Sequence, residues 1–191
     1  MLSVRRGAQS FWIGIVCLLS VLTLGSLQVV IIAFLLSVID VAQRAAHPST
    51  VVLGRLPGGS RFLKISRDER AQRIPGLLIY RFEVELFFAN AETFREEVQR
   101  LIETTEPKAE WVVLDAEVVS DIDATGAEVL GQVIHYLKER GVTFSVAQAS
   151  IRIRRLLQIY GLLDQIGVER LYDTNQEAAE AHSRENEIPQ A

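Results

Sequence analysis

The sequence predicts an α/β fold, a small sheet with helices packed on it, placed behind a segment of membrane type. Three observations predict it. From residue 77 onward, runs rich in Val, Ile, Leu and aromatic residues alternate with stretches whose apolar positions recur at helical spacing. Residues 11–39 form a run of 29 without one charged side chain. The charges are also divided: residues 1–74 carry nine basic and three acidic groups, and residues 75–191 carry eleven basic and 21 acidic ones. That division fits an anionic surface near the first part and open water around the second. It excludes a general nucleic-acid binder, because the acidic part repels phosphate.

Composition narrows the class further. A chain of 191 residues holds one domain with some length left over. Hydrophobic residues make up 49%, too many for a wholly disordered chain. The single cysteine, Cys17, excludes an internal disulfide and every multi-cysteine zinc pattern. His47, His135 and His182 lie too far apart for a local metal motif.

The uncharged run is too long for one upright membrane helix. At 1.5 Å per residue it would reach about 43 Å, against a hydrocarbon core of about 30 Å. A hairpin broken near Leu24, Gly25 and Ser26 solves this, and a single strongly tilted helix is the alternative. Arg5 and Arg6 precede the run; Arg44, Arg55, Arg61 and Lys64 follow it. Basic flanks at both ends favour a hairpin with both ends on the cytoplasmic side. A cleaved signal peptide is the third reading, but its apolar region is only about 7–15 residues long. Trp12 sits where interfacial tryptophan is common.

Residues 47–76 read as a connector. Val51, Val52 and Leu53 make a short extended stretch closed by the turn residues Pro57, Gly58 and Gly59. Residues 66–74 read as a solvated tether, with contact to anionic headgroups as the alternative.

The domain is expected over residues 77–182. Leu77 to Phe88 predicts two short strands or one bent strand. Asn90 caps a helix carrying Phe94, Val98, Leu101 and Ile102, ended by Pro107. Trp111 to Leu114 is a buried strand. A helix with Ala127, Leu130, Val133, Ile134 and Leu137 on one face stops at Gly141. Val142 to Ala147 is a strand. Ser150 caps a helix carrying Ile153, Leu156, Leu157 and Tyr160, ended by Gly161. Ile166 to Tyr172 is a last strand, Asn175 caps a helix to about His182, and residues 183–191 fray.

The most informative stretch joins a buried strand to a helix, where sites concentrate. Asp115, Glu117, Asp121 and Asp123 crowd into nine positions. Paired carboxylates for sugar hydrolysis are one reading, without an enclosed sugar site to support it. A hard-cation site is a second, although the calcium-loop spacing is not met. The third centres on Thr125. Thr125 and Glu128 form a capping box, and a hydroxyl at a helix start suits phosphate. A phosphate there would repel Asp121 and Asp123 and move the loop. Arg152, Arg154 and Arg155 are either a solvated face or a dock for an acidic partner. No nucleophile elbow, phosphate loop or dinucleotide fingerprint is present. No enzyme activity, cofactor or metal is therefore assigned.

Asp121-x-Asp123-Ala-Thr125-Gly126 after Val-Val-Leu-Asp resembles the signature of the STAS domain. That domain occurs in anti-sigma-factor antagonists and at the cytoplasmic end of SulP-type anion transporters. Residues 47–58, from His47-Pro48 to Pro57-Gly58, resemble the transporter connector. Leu78-Ile-Tyr80-Arg81-Phe82 and Leu86-Phe87-Phe88-Ala89-Asn90 resemble its first strands, and Leu156-Leu-Gln-Ile-Tyr-Gly161 its third helix. The resemblance covers roughly residues 25–180. It implies a mixed sheet flanked by helices, preceded by a transmembrane helical hairpin in residues 1–46. It implies a regulatory domain in the cytoplasm on the inner membrane, partnered by the remaining transporter helices or a second copy. Thr125 matches the phosphorylated position of the antagonists; Asp115, Asp121, Asp123 and Gly126 would form the switch loop. The transport core that precedes this point in the family has no counterpart in these 191 residues. A truncated transporter, half of a split one, and a stand-alone membrane-tethered antagonist of a kinase remain alternatives.

Overall fold

A computed structural model describes residue 15, residues 26–46 and residues 50–187. The chain divides into two compact units, Met1–Ala45 and Ala46–Ala191.

In the first unit, helix α1 spans Ser26–Ala46. Val30, Ile31, Ile32, Phe34, Leu35, Leu36, Val38 and Ile39 are all exposed on it. At about 100° per residue these positions cover about two thirds of the circumference, and the positions of Ser26, Ala33, Ser37 and Asp40 fall in the remaining sector. Among the described residues, no helix is long and apolar enough to cross a membrane. The first arm of the expected hairpin and its break at Leu24 and Gly25 lie outside the described residues, as do Trp12, Cys17 and His47.

The second unit is a six-stranded mixed sheet. Its elements are β1 (Thr50–Arg55), β2 (Phe62–Lys64), β3 (Leu77–Phe82), α2 (Ala91–Thr104), β4 (Trp111–Asp115), α3 (Ala124–Glu139), β5 (Thr143–Ala147), α4 (Ile151–Ile159), α5 (Leu163–Ile166), β6 (Leu171–Tyr172) and α6 (Asn175–Glu187). The order across the sheet is β2-β1-β3-β4-β5-β6. β3, β4, β5 and β6 are parallel neighbours, and β1 is antiparallel to both β2 and β3. Helices separate the parallel strands because a parallel pair needs a crossover.

The apolar runs of β3 and β4 are explained by burial on both faces. Leu78, Tyr80 and Phe82 face one core with Val112 and Leu114, under α2, α3 and α4. Leu77 and Ile79 face a second core with Trp111 and Val113, under α6. Phe94 of α2 meets Phe82 edge-on at 5.3 Å between ring centres. α6 presents Ala178 and Ala179, small enough to bring its backbone close to the sheet.

Four expectations are corrected. Residues 66–74 are not a free tether: Gln72 bridges to Arg55, and the β1 and β2 strands before this stretch join the sheet. A Cβ on Gly54 would stand 2.9 Å from the carbonyl carbon of Ala71, so only glycine fits there. Leu77 to Phe88 gives one strand, after which the chain makes a single bridge from Leu86 to Ile122. The last strand shrinks to Leu171–Tyr172, because Leu163–Ile166 is helical and Gly167 turns with φ 90°. α6 continues to Glu187, past His182.

Candidate functional site

The site lies at the carboxyl end of the parallel strands, where the connections of an open α/β sheet leave a crevice. Its floor is Asp115, the last residue of β4, which is fully buried. One carboxylate oxygen accepts from Arg81 Nε at 3.1 Å and Nη2 at 2.7 Å, from Gln148 Nε2 at 3.1 Å, and from Asn175 Nδ2 at 2.6 Å. The other accepts the Glu117 backbone N–H at 3.0 Å. A charge out of water needs a paired cation and full hydrogen bonding. Arg81 stands opposite Asp115 in the register of β3 and β4, so the pair is set by the strand alignment. Arg81 also pairs with Glu117. Gln148, just after β5, holds a left-handed backbone at φ 58°, costly for a residue with a Cβ. Its N–H donates to the Tyr172 carbonyl at 3.0 Å, which with the Asp115 bond holds it there. Arg81, Glu117, Gln148 and Asn175 line an open cleft of about 370 Å³.

The loop above this floor is stitched to the segment after β3. Leu86 N–H donates to the Asp121 carbonyl, and Asp123 N–H donates to the Leu86 carbonyl, each at 3.1 Å. Asp123 Oδ1 accepts from Gly126 N–H at 2.7 Å, capping α3, while Oδ2 accepts from Phe88 N–H at 3.0 Å. Gly126 is fixed by the same closeness: a Cβ there would lie 2.4 Å from the Leu86 carbonyl oxygen. Asp121 Oδ2 accepts from Arg152 Nη2 at 2.7 Å and ties the loop to α4.

Asp123, not Thr125, is the helix cap. Thr125 stands two positions inside α3 and is exposed. The capping box of Thr125 and Glu128 does not form, because the helix already begins at Ala124 with Asp123 as its cap, which leaves Thr125 inside the first turn. The four clustered acids also part company. Asp115 turns into the sheet, Glu117 to Arg81, Asp121 to Arg152 and Asp123 to the cap. Among the described residues, no group of three or more acidic, histidine or cysteine side chains is placed to hold a metal.

The three arginines of α4 differ. Arg152 is bound to Asp121, and Arg154 pairs with Asp173 and donates to the Ala149 carbonyl at 3.1 Å. Arg155 is exposed, and its side chain makes no hydrogen bond or ion pair among the described residues. Two capping expectations shift as well. Asn90 pins its own loop, accepting from Phe87 N–H and donating to the Glu85 carbonyl. Thr174 caps α6 through Glu177 N–H, which frees Asn175 to reach Asp115. Arg81, Gln148 and Asn175 were missed in the sequence. Arg81 is the first charge in the apolar run from Leu77, and Asn175 stands out only as a helix cap; nothing marks Gln148.

The mixed six-stranded sheet with this strand order, helices on both faces and a loop stitched to the segment after β3 defines a small α/β domain. The family model for the STAS domain matches residues 70–178, so the chain belongs to the STAS domain family. It is 36% identical over 165 residues to a probable sulfate transporter of Mycobacterium tuberculosis, covering 86% of this chain and 30% of that protein. It is 27% identical over 161 residues to sulfate transporter 1.3 of Arabidopsis thaliana, covering 80% of this chain and 24% of that one. The chain thus spans less than a third of the length of these relatives. The STAS domain of a SulP transporter from Vibrio cholerae matches with a TM-score of 0.52 at 25% identity, over 64% of this chain and 93% of that domain. The murine anion transporter Slc26a9 matches with a TM-score of 0.75 at 20% identity, over 89% of this chain and 28% of that one, a likeness of fold.

Proposed function

We propose that this chain is the cytoplasmic regulatory end of a SulP-type sulfate or other anion transporter, with residues 11–39 held in the membrane. One observation carries the reading. The similarity to the M. tuberculosis sulfate transporter runs over 165 residues, well beyond the 70–178 stretch of the domain itself. A match of that length leaves too few residues to miss β1, β2 and most of α1. The exposed apolar side chains over about two thirds of the circumference of α1 support a lipid or helix environment for that segment. The domain acts by packing and partner binding; no catalytic residue is assigned.

Membrane fractionation of the native protein tests the anchor. An antibody against residues 77–182 finds the protein in the membrane pellet after alkaline carbonate washing; a band in the soluble fraction overturns the reading. Sulfate uptake tests the regulation. Thr125→Ala and Thr125→Glu change the uptake rate in opposite directions if the loop is a switch, and unchanged uptake with both removes it.

The exposure of Thr125 favours a second reading, a membrane-tethered antagonist of a kinase. Phosphate incorporation into this chain, abolished by Thr125→Ala without any effect on sulfate uptake, selects that reading over the first.

A further inference from the structure

The β1–β2 hairpin and its return stretch differ electrically from the rest of the domain. Residues 50–75 carry Arg55, Arg61, Lys64, Arg67, Arg70 and Arg73 against Asp68 and Glu69, a balance of +4. Residues 76–187 carry eleven basic and 21 acidic groups, a balance of −10. All five of those arginines are exposed. Lys64 is paired with Glu83, Arg70 with Asp68, and Arg55 donates to the Gly59 carbonyl. The side chains of Arg61, Arg67 and Arg73 make no hydrogen bond or ion pair among the described residues.

The patch is a fixed surface. β1 pairs with β3 over four positions and with β2 over three. Gln72 exchanges backbone hydrogen bonds with Arg55 at 2.8 and 2.9 Å, which sets Arg73 beside Arg55. The hairpin occupies one edge of the sheet, so the positive charge is gathered at one side of an acidic body. It also precedes the 70–178 stretch of the family domain, while the match to the M. tuberculosis transporter includes it. Leu63 is exposed among these cations.

We infer that this hairpin is a docking surface for an anionic lipid leaflet and orients the domain with its acidic side turned away. The inference rests on the membrane-held reading above. Charge complementarity selects the partner. Each Lys or Arg near an anionic leaflet strengthens binding about fivefold, and the field reaches about 8–10 Å at physiological salt. At that range a leaflet beside the hairpin is attracted by the local cations. Most of the acidic charge on the rest of the domain is screened.

The test uses residues 46–191, which form a compact unit and contain both cores. The related V. cholerae domain was likewise solved as a separate domain. The piece is sedimented with phosphatidylcholine vesicles, with and without phosphatidylglycerol. Binding is expected only with phosphatidylglycerol, and is expected to fall as salt rises. Arg61→Glu with Arg67→Glu and Arg73→Glu weakens it at least about tenfold. Lys108→Glu with Lys138→Glu and Arg155→Glu changes the net charge equally but leaves binding within about twofold. Lysine at all three hairpin positions keeps binding, which separates lost charge from lost folding. Three outcomes overturn the inference: no binding at low salt, equal loss in both glutamate triples, or no loss in the hairpin triple. None of them touches the anchor, because the apolar segment is absent from the tested piece.

Discussion

Asn175 donates to the buried carboxylate of Asp115 at 2.6 Å across 60 positions of sequence. This bond joins the first residue of α6 to the end of β4, and so ties the helix on one face of the sheet to the loop leading into α3 on the other. Together with Arg81 and Gln148, it completes the hydrogen-bond shell of a fully buried carboxylate.

Removing either end is therefore costly, by different amounts. Asn175→Ala leaves the carboxylate with its other donors and is expected to cost about 1.5–3 kcal/mol, the range for hydrogen bonds to charged groups. Asp115→Ala strips Arg81 of its buried partner and is expected to cost about 3 kcal/mol or more. Urea unfolding of residues 46–191 measures both. A loss below about 0.5 kcal/mol for Asp115→Ala would show that the shell is not structural.

Gly126→Ala is expected to destabilise the domain by about 1–3 kcal/mol, the range for forced overpacking. Its Cβ would meet the Leu86 carbonyl oxygen at 2.4 Å and push apart the two stitched segments. Faster amide exchange at Leu86 and Asp123, whose N–H groups make those bonds, is the second readout.

The cap assignment separates two neighbours. Asp123→Ala removes both the α3 cap and the Phe88 contact, and is expected to cost about 1–2 kcal/mol. Thr125→Ala, at an exposed hydroxyl, stays within about 0.5 kcal/mol. The reverse ranking in thermal or urea unfolding would return the cap to Thr125.

Acid is expected to loosen α6. His182 is buried against the edge of Trp111 at 5.7 Å between ring centres, and burial lowers its pKa below the usual value. Glu110 and Glu185 face it and pull the other way, without reversing the shift. Arg170 lies over the Trp111 ring and pairs with Glu185. A folded-state pKa below the unfolded one means that the neutral ring stabilises the fold above about pH 6.5. That contribution is lost as pH falls through and below this value. Unfolding midpoints at pH 7.5 and 5.5 should differ in the wild type, with part of the difference removed by His182→Gln. An unchanged difference would place the acid sensitivity elsewhere.

Most of the fold was legible because local rules and burial agree. The apolar runs of β3 and β4 are buried on both faces, and Phe94, Val98 and Leu101 fall on the buried stripe of α2. The loop from Asp115 to Gly126 stands out in the sequence because a strand-to-helix junction carries acids and a hydroxyl. The division of labour inside it does not. Asp123 and Thr125 are both good caps by type, and only the approach of Leu86 and Phe88 to this loop makes Asp123 the better placed.

The β1–β2 hairpin was legible only in part. Val51, Val52 and Leu53 read as an extended stretch closed by a turn, as β1 is, but strands of six and three residues carry too little local pattern to show that they join the sheet. They become strands because the free edge of β3 supplies hydrogen-bond partners, which no neighbour in sequence can supply. The sequence by itself determined the apolar segment, the uneven charge, the alternation of strands and helices and the family signature, since these follow from residue type and spacing. The tertiary structure alone decided which acid caps α3, which donors surround Asp115 and where the basic hairpin lies. Each of those depends on segments far apart in the chain meeting at hydrogen-bond distance, and spacing along a sequence does not encode that distance.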